Sequence, residues 1–464
     1  MSFSNSRGCC ERVSSVAVYL LLLLVGLQGA VLLMAQYGET TRDMICGVSA
    51  DVNKIGVRTI TNGSYMKNEE DAVVNALSSK GTSQSSNHNA SPRATPLQPL
   101  SVHNNSDTTV VKVATPNRAP VNLPTVFEGV KARAFKSWPK NKLLPCFEAE
   151  PNWKEALNAP ADTGFIYLKG YKTGSSTSSG INLRIARNVA RRQGKNFTMC
   201  RARYDHAWAS SLYSNRIRDK TFMWSIVRNP TSRLMSQFFH FVVSRQKLEP
   251  SDANFYSYMK TGPTDMIQDY YLGALSLTGY NRKKDSPVKI ANQILEDYDF
   301  IGVTERMDES ALALAMLMGI PIADILFLTA KGHGGFDDGG GRGGVRTCTY
   351  IWPSFVSDGM QEYLDSDEWA SRQHWDLVLY EAVNRSLDLT IDRLGRERFE
   401  KNLALYEKAR ELSRTNCLHK TVFPCSSGGK YTEASKTDCL WNDSGCGSEC
   451  LDEVADKLDL WSKL

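Results

Sequence analysis

The sequence lacks a dominant charge: in 464 residues, 55 Lys and Arg face 50 Asp and Glu, a net of +5. That balance argues against a protein organised around duplex nucleic acid, which needs a basic face. Histidine is scarce, at 7, so candidates for proton transfer or metal ligation are few. Proline (17) and glycine (33) are too few for a collagen-like or elastic chain. There are no internal repeats, and long apolar runs are absent apart from one, which excludes a multi-pass transporter. The Gly-x4-Gly-Lys-Ser/Thr spacing of a Walker A loop is also missing, which weakens an ATP- or GTP-hydrolysing reading. What is present is 42% apolar and 23% charged, the composition of an ordinary globular core.

The exceptional run is VAVYLLLLLVGLQGAVLLMA at 16–35, which carries no charge. At about 1.5 Å per residue it matches a hydrocarbon core of about 30 Å. A signal-peptide core spans only about 7–15 residues, so the run reads as a membrane anchor. Asn-x-Ser/Thr sequons start at Asn62, Asn89, Asn104, Asn196, Asn384 and Asn442, all beyond the run. Of 11 cysteines, Cys9 and Cys10 precede it; the other nine follow, and five of these crowd into 417–450. One-sided sequons and cysteines suit an oxidising lumen, hence a single-pass type II protein. Disulfides are expected in the tail rather than zinc, and the odd number leaves at least one cysteine outside intramolecular pairs.

The implied layout is a cytoplasmic tail (1–15), the anchor (16–35) and a flexible glycosylated stem rich in Ser, Thr and Asn (36–142). A catalytic domain (143–415) and a Cys-rich tail (416–464) follow. Within the domain, FIYL at 165–168, TFMWSIV at 221–227, FIGV at 300–303 and ILFL at 325–328 read as strands. Helical patterns lie between them, one with Ile181, Ile185 and Val189 on its apolar face and Arg184, Arg187, Asn188 and Arg191 on the other. This alternation predicts an α/β domain with a mainly parallel sheet. A long helical region, about 368–412, closes it. The glycine-rich KGHGGFDDGGGRGGV at 331–345 reads as a surface loop.

Two strand–turn–helix junctions carry candidate chemistry. LKGYKTGSST at 168–177 offers backbone amides at a helix start, hydroxyls and lysines, the parts of a phosphate or sulfate site. IVRNPTSRLMS at 226–236 puts Arg228 at a strand end, Asn229 and Pro230 as helix cap and first residue, and Ser236 on the helix. Together they describe a grip on two anionic groups of one nucleotide.

This pair resembles the 5′-phosphosulfate loop and 3′-phosphate motif of Golgi carbohydrate sulfotransferases, which use 3′-phosphoadenosine 5′-phosphosulfate (PAPS). The sequence is most similar to the galactose 3-O-sulfotransferases, the galactosylceramide type included. Their first motif reads roughly Phe-Leu-Lys-Thr-His-Lys-Thr-Ala-Ser-Ser-Thr. The similarity runs in consistent order over about 163–417, through DYYLGALSLTGY at 269–280, Asp308-Glu309-Ser310 and Leu394-Gly395-Arg396-Glu397-Arg398. The Arg-x-Pro motif and Gly302-Val303-Thr304-Glu305 also resemble the uronyl 2-O-sulfotransferases. Gly170 and Tyr171 depart from the first motif's Thr and His, and Asp205-His206-Ala207 stands where the family tends to read Asn-His-Met.

The resemblance implies a P-loop-like sulfotransferase fold in the Golgi membrane with a glycan or glycolipid acceptor. PAPS would be the co-substrate and no metal would be needed. Lys169, Lys172, Thr173, Gly174, Ser175, Ser176 and Thr177 would cradle the 5′-phosphosulfate, with Lys172 at the leaving oxygen. Arg228 and Ser236 would hold the 3′-phosphate. His206, whose side-chain type ordinarily titrates near pH 6.5, is the base candidate. His240 and His374 are the remaining histidines of the folded region. The rival readings are a uronyl 2-O-sulfotransferase-like enzyme, an Asp-x-Asp glycosyltransferase using 297–299 or 365–367, and a non-enzymatic cell-surface glycoprotein.

Overall fold

Three of the four apolar runs pair into one parallel sheet. In this computed structural model they are β1 (Gly164–Leu168), β2 (Thr221–Val227) and β3 (Phe300–Val303), in that spatial order. Every residue of all three is buried, as near-continuous apolar strands require when helices cover both faces of a parallel sheet. The structure describes residues 125–464 except 147–162, 197–199, 201–205, 207, 215, 330–334, 339–346, 440–444 and 463. All of these belong to one compact unit, Gly63–Leu464. The apolar run at 16–35 and most of the expected stem lie outside the described residues. Among the described residues no helix is long and apolar enough to cross a membrane.

The register sets up the site. Leu168, the end of β1, pairs with Ser225, whereas Val227, the end of β2, pairs with Val303 at the end of β3. The segment after β1 therefore emerges two residues lower and passes beside the point where Arg228 leaves β2. Helix α1 (Ser175–Arg192) follows β1, and α2 (Pro230–Gln237) follows β2. Asn229 caps α2 by accepting the Ser232 N–H at 3.2 Å, with Pro230 in the first turn, as its sequence demands. The chain then continues as a π-helical stretch, Phe238–Arg245. Helix α3 (Tyr270–Leu275) lies between β2 and β3, and α4 (Met307–Met318) follows β3. Helices α4 and α5 (Asp367–Leu394) pack on β3. The expected long helical region divides into α5 and α6 (Arg396–Cys417) at Gly395, whose φ of +92° suits a residue without Cβ.

The run at 325–328 departs from expectation. It is buried, but its first residue ends a 3-10 turn (Ile322–Ile325) and it joins no strand among the described residues. Side chains take its carbonyls instead: Tyr406 Oη donates to Ile325 O at 2.9 Å, and Arg410 donates to Phe327 O. Buried backbone needs partners, and here α6 supplies them without a ladder. Part of the glycine-rich segment also acquires structure, because β4 (Gly335–Asp338) pairs antiparallel with β5 (Cys348–Ile351).

Four disulfides join Cys146 to Cys200, Cys348 to Cys425, Cys417 to Cys450 and Cys439 to Cys446. These account for eight of the nine cysteines beyond the apolar run; Cys46 lies outside the described residues. The Cys-rich segment packs into the main core through Cys439, Cys446, Cys450, Leu451 and Val454. Its helix α7 (Ser448–Lys457) covers the face of α1 that the sequence pattern left polar. Arg184 is buried there, donating to Ala323 O at 2.8 Å and to Asp452 at 2.6 Å, while Arg187 donates to Ser448 Oγ at 2.9 Å. Gly180 permits the approach: a Cβ on it would stand 2.8 Å from the Gly445 Cα.

Candidate functional site

At the carboxyl ends of the three strands, where parallel α/β sheets hold ligands, three loops are tied together. Lys172 and Gly174 both have left-handed backbones (φ 60° and 74°), the curl that turns successive amides toward one concavity. Gly174 immediately precedes α1, and no side chain caps that helix. The amides of its first turn therefore have no acceptor within the helix. A Cβ on Gly174 would lie 3.1 Å from the Met307 side chain, so a larger residue would strain the loop twice over.

The β1 and β2 loops touch directly. Arg228 Nη1 donates to the Lys172 carbonyl at 3.3 Å. Thr304, just after β3, places its hydroxyl 2.8 Å from Thr173 O and 3.0 Å from Val227 O. Glu305 accepts the Asn229 N–H at 2.9 Å, stands 4.0 Å from the Arg228 guanidinium and receives Tyr380 Oη at 3.2 Å. Burial lowers the Arg228 guanidinium from its ordinary value, opposed by Glu305 and Tyr271. It remains a half-buried cation between two loops.

The individual candidates divide by role. Lys169 is buried and Lys172 half-buried. Thr173 is wholly buried and its hydroxyl closes the turn by donating to Gly170 O at 3.2 Å, so only its amide faces the ligand question. Ser175 and Thr177 are buried and Ser176 is partly open, all in the first turn of α1. Ser236 is half-buried near the end of α2. Beyond Thr177, Ser178 and Ser179 extend the hydroxyl run, with buried Oγ atoms that have no hydrogen-bond partner among the described residues.

His206 joins this group. Its ring stacks on Tyr171 with centroids 4.3 Å apart and planes 10° apart. Nδ1 lies 3.1 Å from the Lys169 carbonyl. A carbonyl can only accept, so that contact puts the proton on Nδ1 and the lone pair of neutral imidazole on Nε2. The Tyr171 departure from the family motif is thus the residue against which His206 lies. His240 sits one ring further out, edge-on to Phe241 at 4.8 Å, with Phe241 6.0 Å from Tyr171. His374 is elsewhere, its Nε2 2.8 Å from Glu128.

Residues that sequence reasoning missed form the floor. Tyr270, Tyr271 and Asp376 support both loops, as do Thr304 and Glu305. The tyrosines lie in DYYLG and the Thr304-Glu305 pair in GVTE, motifs that carry no role for single residues, and Asp376 lies in neither.

The Asp-x-Asp triplet at 297–299 is committed to structure: Arg216 donates to Asp299 at 2.6 Å, and Arg218 donates to Asp297. Asp365 of the second triplet accepts from Gln361 at 2.8 Å, and Ser366 caps α5. Among the described residues no group of three His, Cys, Asp or Glu side chains could hold a metal. Asn384, on α5, accepts from Arg306 Nη1 at 2.8 Å through its side-chain oxygen. No protein-family model, curated protein or solved structure matches the chain.

Proposed function

We propose that the protein is a PAPS-dependent sulfotransferase of P-loop-like fold that sulfates a hydroxyl of a glycan or glycolipid, the 3-OH of galactose first. One observation carries the reading: two loops from adjacent parallel strands, each equipped for an anion, meet through Arg228 and the Lys172 carbonyl. The galactose 3-O-sulfotransferase-like motifs over the same residues give the donor its identity.

Sulfuryl transfer needs positioning, a cation at the oxygen that leaves and a base at the oxygen that attacks. In this reading the 173–177 amides and the hydroxyls of Ser175, Ser176 and Thr177 bind the 5′-phosphosulfate, and Arg228 with Ser236 binds the 3′-phosphate. The acceptor hydroxyl forms an O–S bond as the bridging S–O bond to the nucleotide breaks. Lys172 neutralises the charge growing on that bridging oxygen, and His206 Nε2 receives the hydroxyl proton. The products are the sulfated glycan and adenosine 3′,5′-bisphosphate. The apolar run, the one-sided sequons and the four disulfides fit a type II anchor with the catalytic domain in the Golgi lumen.

The test incubates the full chain in detergent with sulfur-labelled PAPS and separate galactoside, galactolipid and uronic-acid polymer acceptors. Label on galactose O3 supports the reading. Label on the uronic-acid polymer alone would transfer the activity to the 2-O class, and no label on any acceptor would end it.

A further inference from the structure

The two anion loops rest on adjacent residues of one helix. Asp376, on α5, accepts the Tyr270 N–H at 2.9 Å through one oxygen and the Tyr271 N–H at 2.8 Å through the other. Wholly buried Arg233, on α2, lies 4.1 Å from the Tyr270 ring and 5.9 Å from that of Tyr271. Its Nη1 donates to Gln237 at 2.7 Å and its Nη2 to Met266 O at 2.8 Å, which fixes the guanidinium beneath the two rings.

From this base the phenols part company. Tyr270 Oη accepts the Tyr171 N–H at 2.6 Å, in the β1 loop. Tyr271 Oη accepts the Arg228 N–H at 2.8 Å and donates to the Arg228 carbonyl at 2.5 Å, in the β2 loop. The loops stand 56 residues apart in sequence at their direct contact. Their supporting rings are consecutive, with centroids 5.5 Å apart. A single dipeptide therefore sets the spacing between the loops, and consecutive residues on a short helix cannot drift relative to one another.

We propose that Tyr270 and Tyr271 are specificity-determining positioning residues that hold the two anion loops at a fixed separation, so that the site selects a nucleotide carrying both a 5′ and a 3′ anion. The inference rests on the sulfotransferase reading of the two loops. Each tyrosine acts through the backbone of one loop, so each should affect one end of the ligand. Burial pushes the Tyr271 phenol well above its ordinary value, which keeps it an O–H donor.

Calorimetry on the detergent-solubilised full chain provides the test, with adenosine 3′,5′-bisphosphate and adenosine 5′-monophosphate as probes. Tyr271→Phe should weaken the bisphosphate about five- to 150-fold, the worth of the two hydrogen bonds its hydroxyl makes to Arg228, and leave the monophosphate unchanged. Tyr270→Phe should weaken both probes by similar factors. Equal losses for both probes in Tyr271→Phe, or no loss in either variant, would overturn the proposal. Failure of the unmodified chain to bind the bisphosphate would instead overturn the sulfotransferase reading beneath it. If Tyr271→Phe does not fold, hydrogen exchange on the unmodified chain decides. The Arg228 amide should exchange slowly before any ligand is added, and exchange at the rate of an open loop contradicts the proposal.

Discussion

Arg228 donates from its guanidinium to the main-chain carbonyl of Lys172 at 3.3 Å, so the cation of one loop is seated on the backbone of the other. The contact orients a half-buried charge and, since a carbonyl is only a dipole, leaves Glu305 at 4.0 Å as its ion-pair partner, with which an incoming anion competes. A charge held this way is ready for an anion that arrives from outside.

Arg228→Ala should therefore cost binding more than folding. Charge-assisted hydrogen bonds are worth about 1.5–3 kcal/mol, so affinity for adenosine 3′,5′-bisphosphate should fall about 10- to 150-fold. Arg228→Lys should restore only part of it, because an ammonium cannot both donate to Lys172 O and present a fork to phosphate. Titration calorimetry checks both variants, and a bisphosphate affinity equal to the unmodified protein's would remove Arg228 from the site.

His206→Ala should separate chemistry from binding. Loss of a general base lowers turnover about 10²- to 10⁴-fold. Affinity for the bisphosphate should stay within about twofold, since the ring meets Lys169 O and Tyr171 rather than the first turn of α1. Steady-state rates with labelled PAPS, beside calorimetry, show the split or its absence.

Much of this arrangement was legible from residue order, and some was not. The β1 and β2 runs, the Asn229-Pro230 helix start and the hydroxyl-rich loop follow from local chemistry that neighbours in sequence settle. The run at 325–328 did not, because an apolar tetrapeptide reads the same whether a strand or the side chains of Tyr406 and Arg410 satisfy its carbonyls. Arg184 and Arg187 read as the polar face of their helix because their cover, α7, arrives from more than 260 residues away. Tyr270, Tyr271 and Asp376 escaped notice for the same reason: bonds spanning 43 to 106 residues leave no local pattern.

Asp376 gives a pH dependence with a defined sign. Burial pushes its carboxyl up to about 7, against the pull of Arg233 and the two amide donors. The unfolded chain titrates near 3.9, so between about pH 4 and 7 the folded chain holds a proton that the unfolded chain has lost. The group's contribution to stability is complete below about pH 4 and is lost as pH rises through 7, with a slope of at most about 1.4 kcal/mol per pH unit. Chemical denaturation across this range should show that component in the unmodified protein and not in Asp376→Asn. Identical pH slopes for the two proteins would contradict it.

The Cys417–Cys450 bond closes a 33-residue separation between α6 and α7, the helix that covers α1. Replacing both cysteines with serine should cost about 3–4 kcal/mol by the loop-entropy argument. Because α1 begins at the anion loop, reduction should also weaken bisphosphate binding before global unfolding. Thermal melts and calorimetry with and without reductant measure the two effects, and an unchanged melting temperature would detach the tail from the core's stability.

On the proposed reading, two loops form one site for a doubly anionic nucleotide. Calorimetric titration of adenosine 3′,5′-bisphosphate into the full chain tests it most directly. One site per chain, weakened at least about tenfold in Lys172→Ala and in Arg228→Ala while both variants keep their fold, is the predicted result. No binding by the unmodified chain, or binding that both variants retain at full strength, would contradict it.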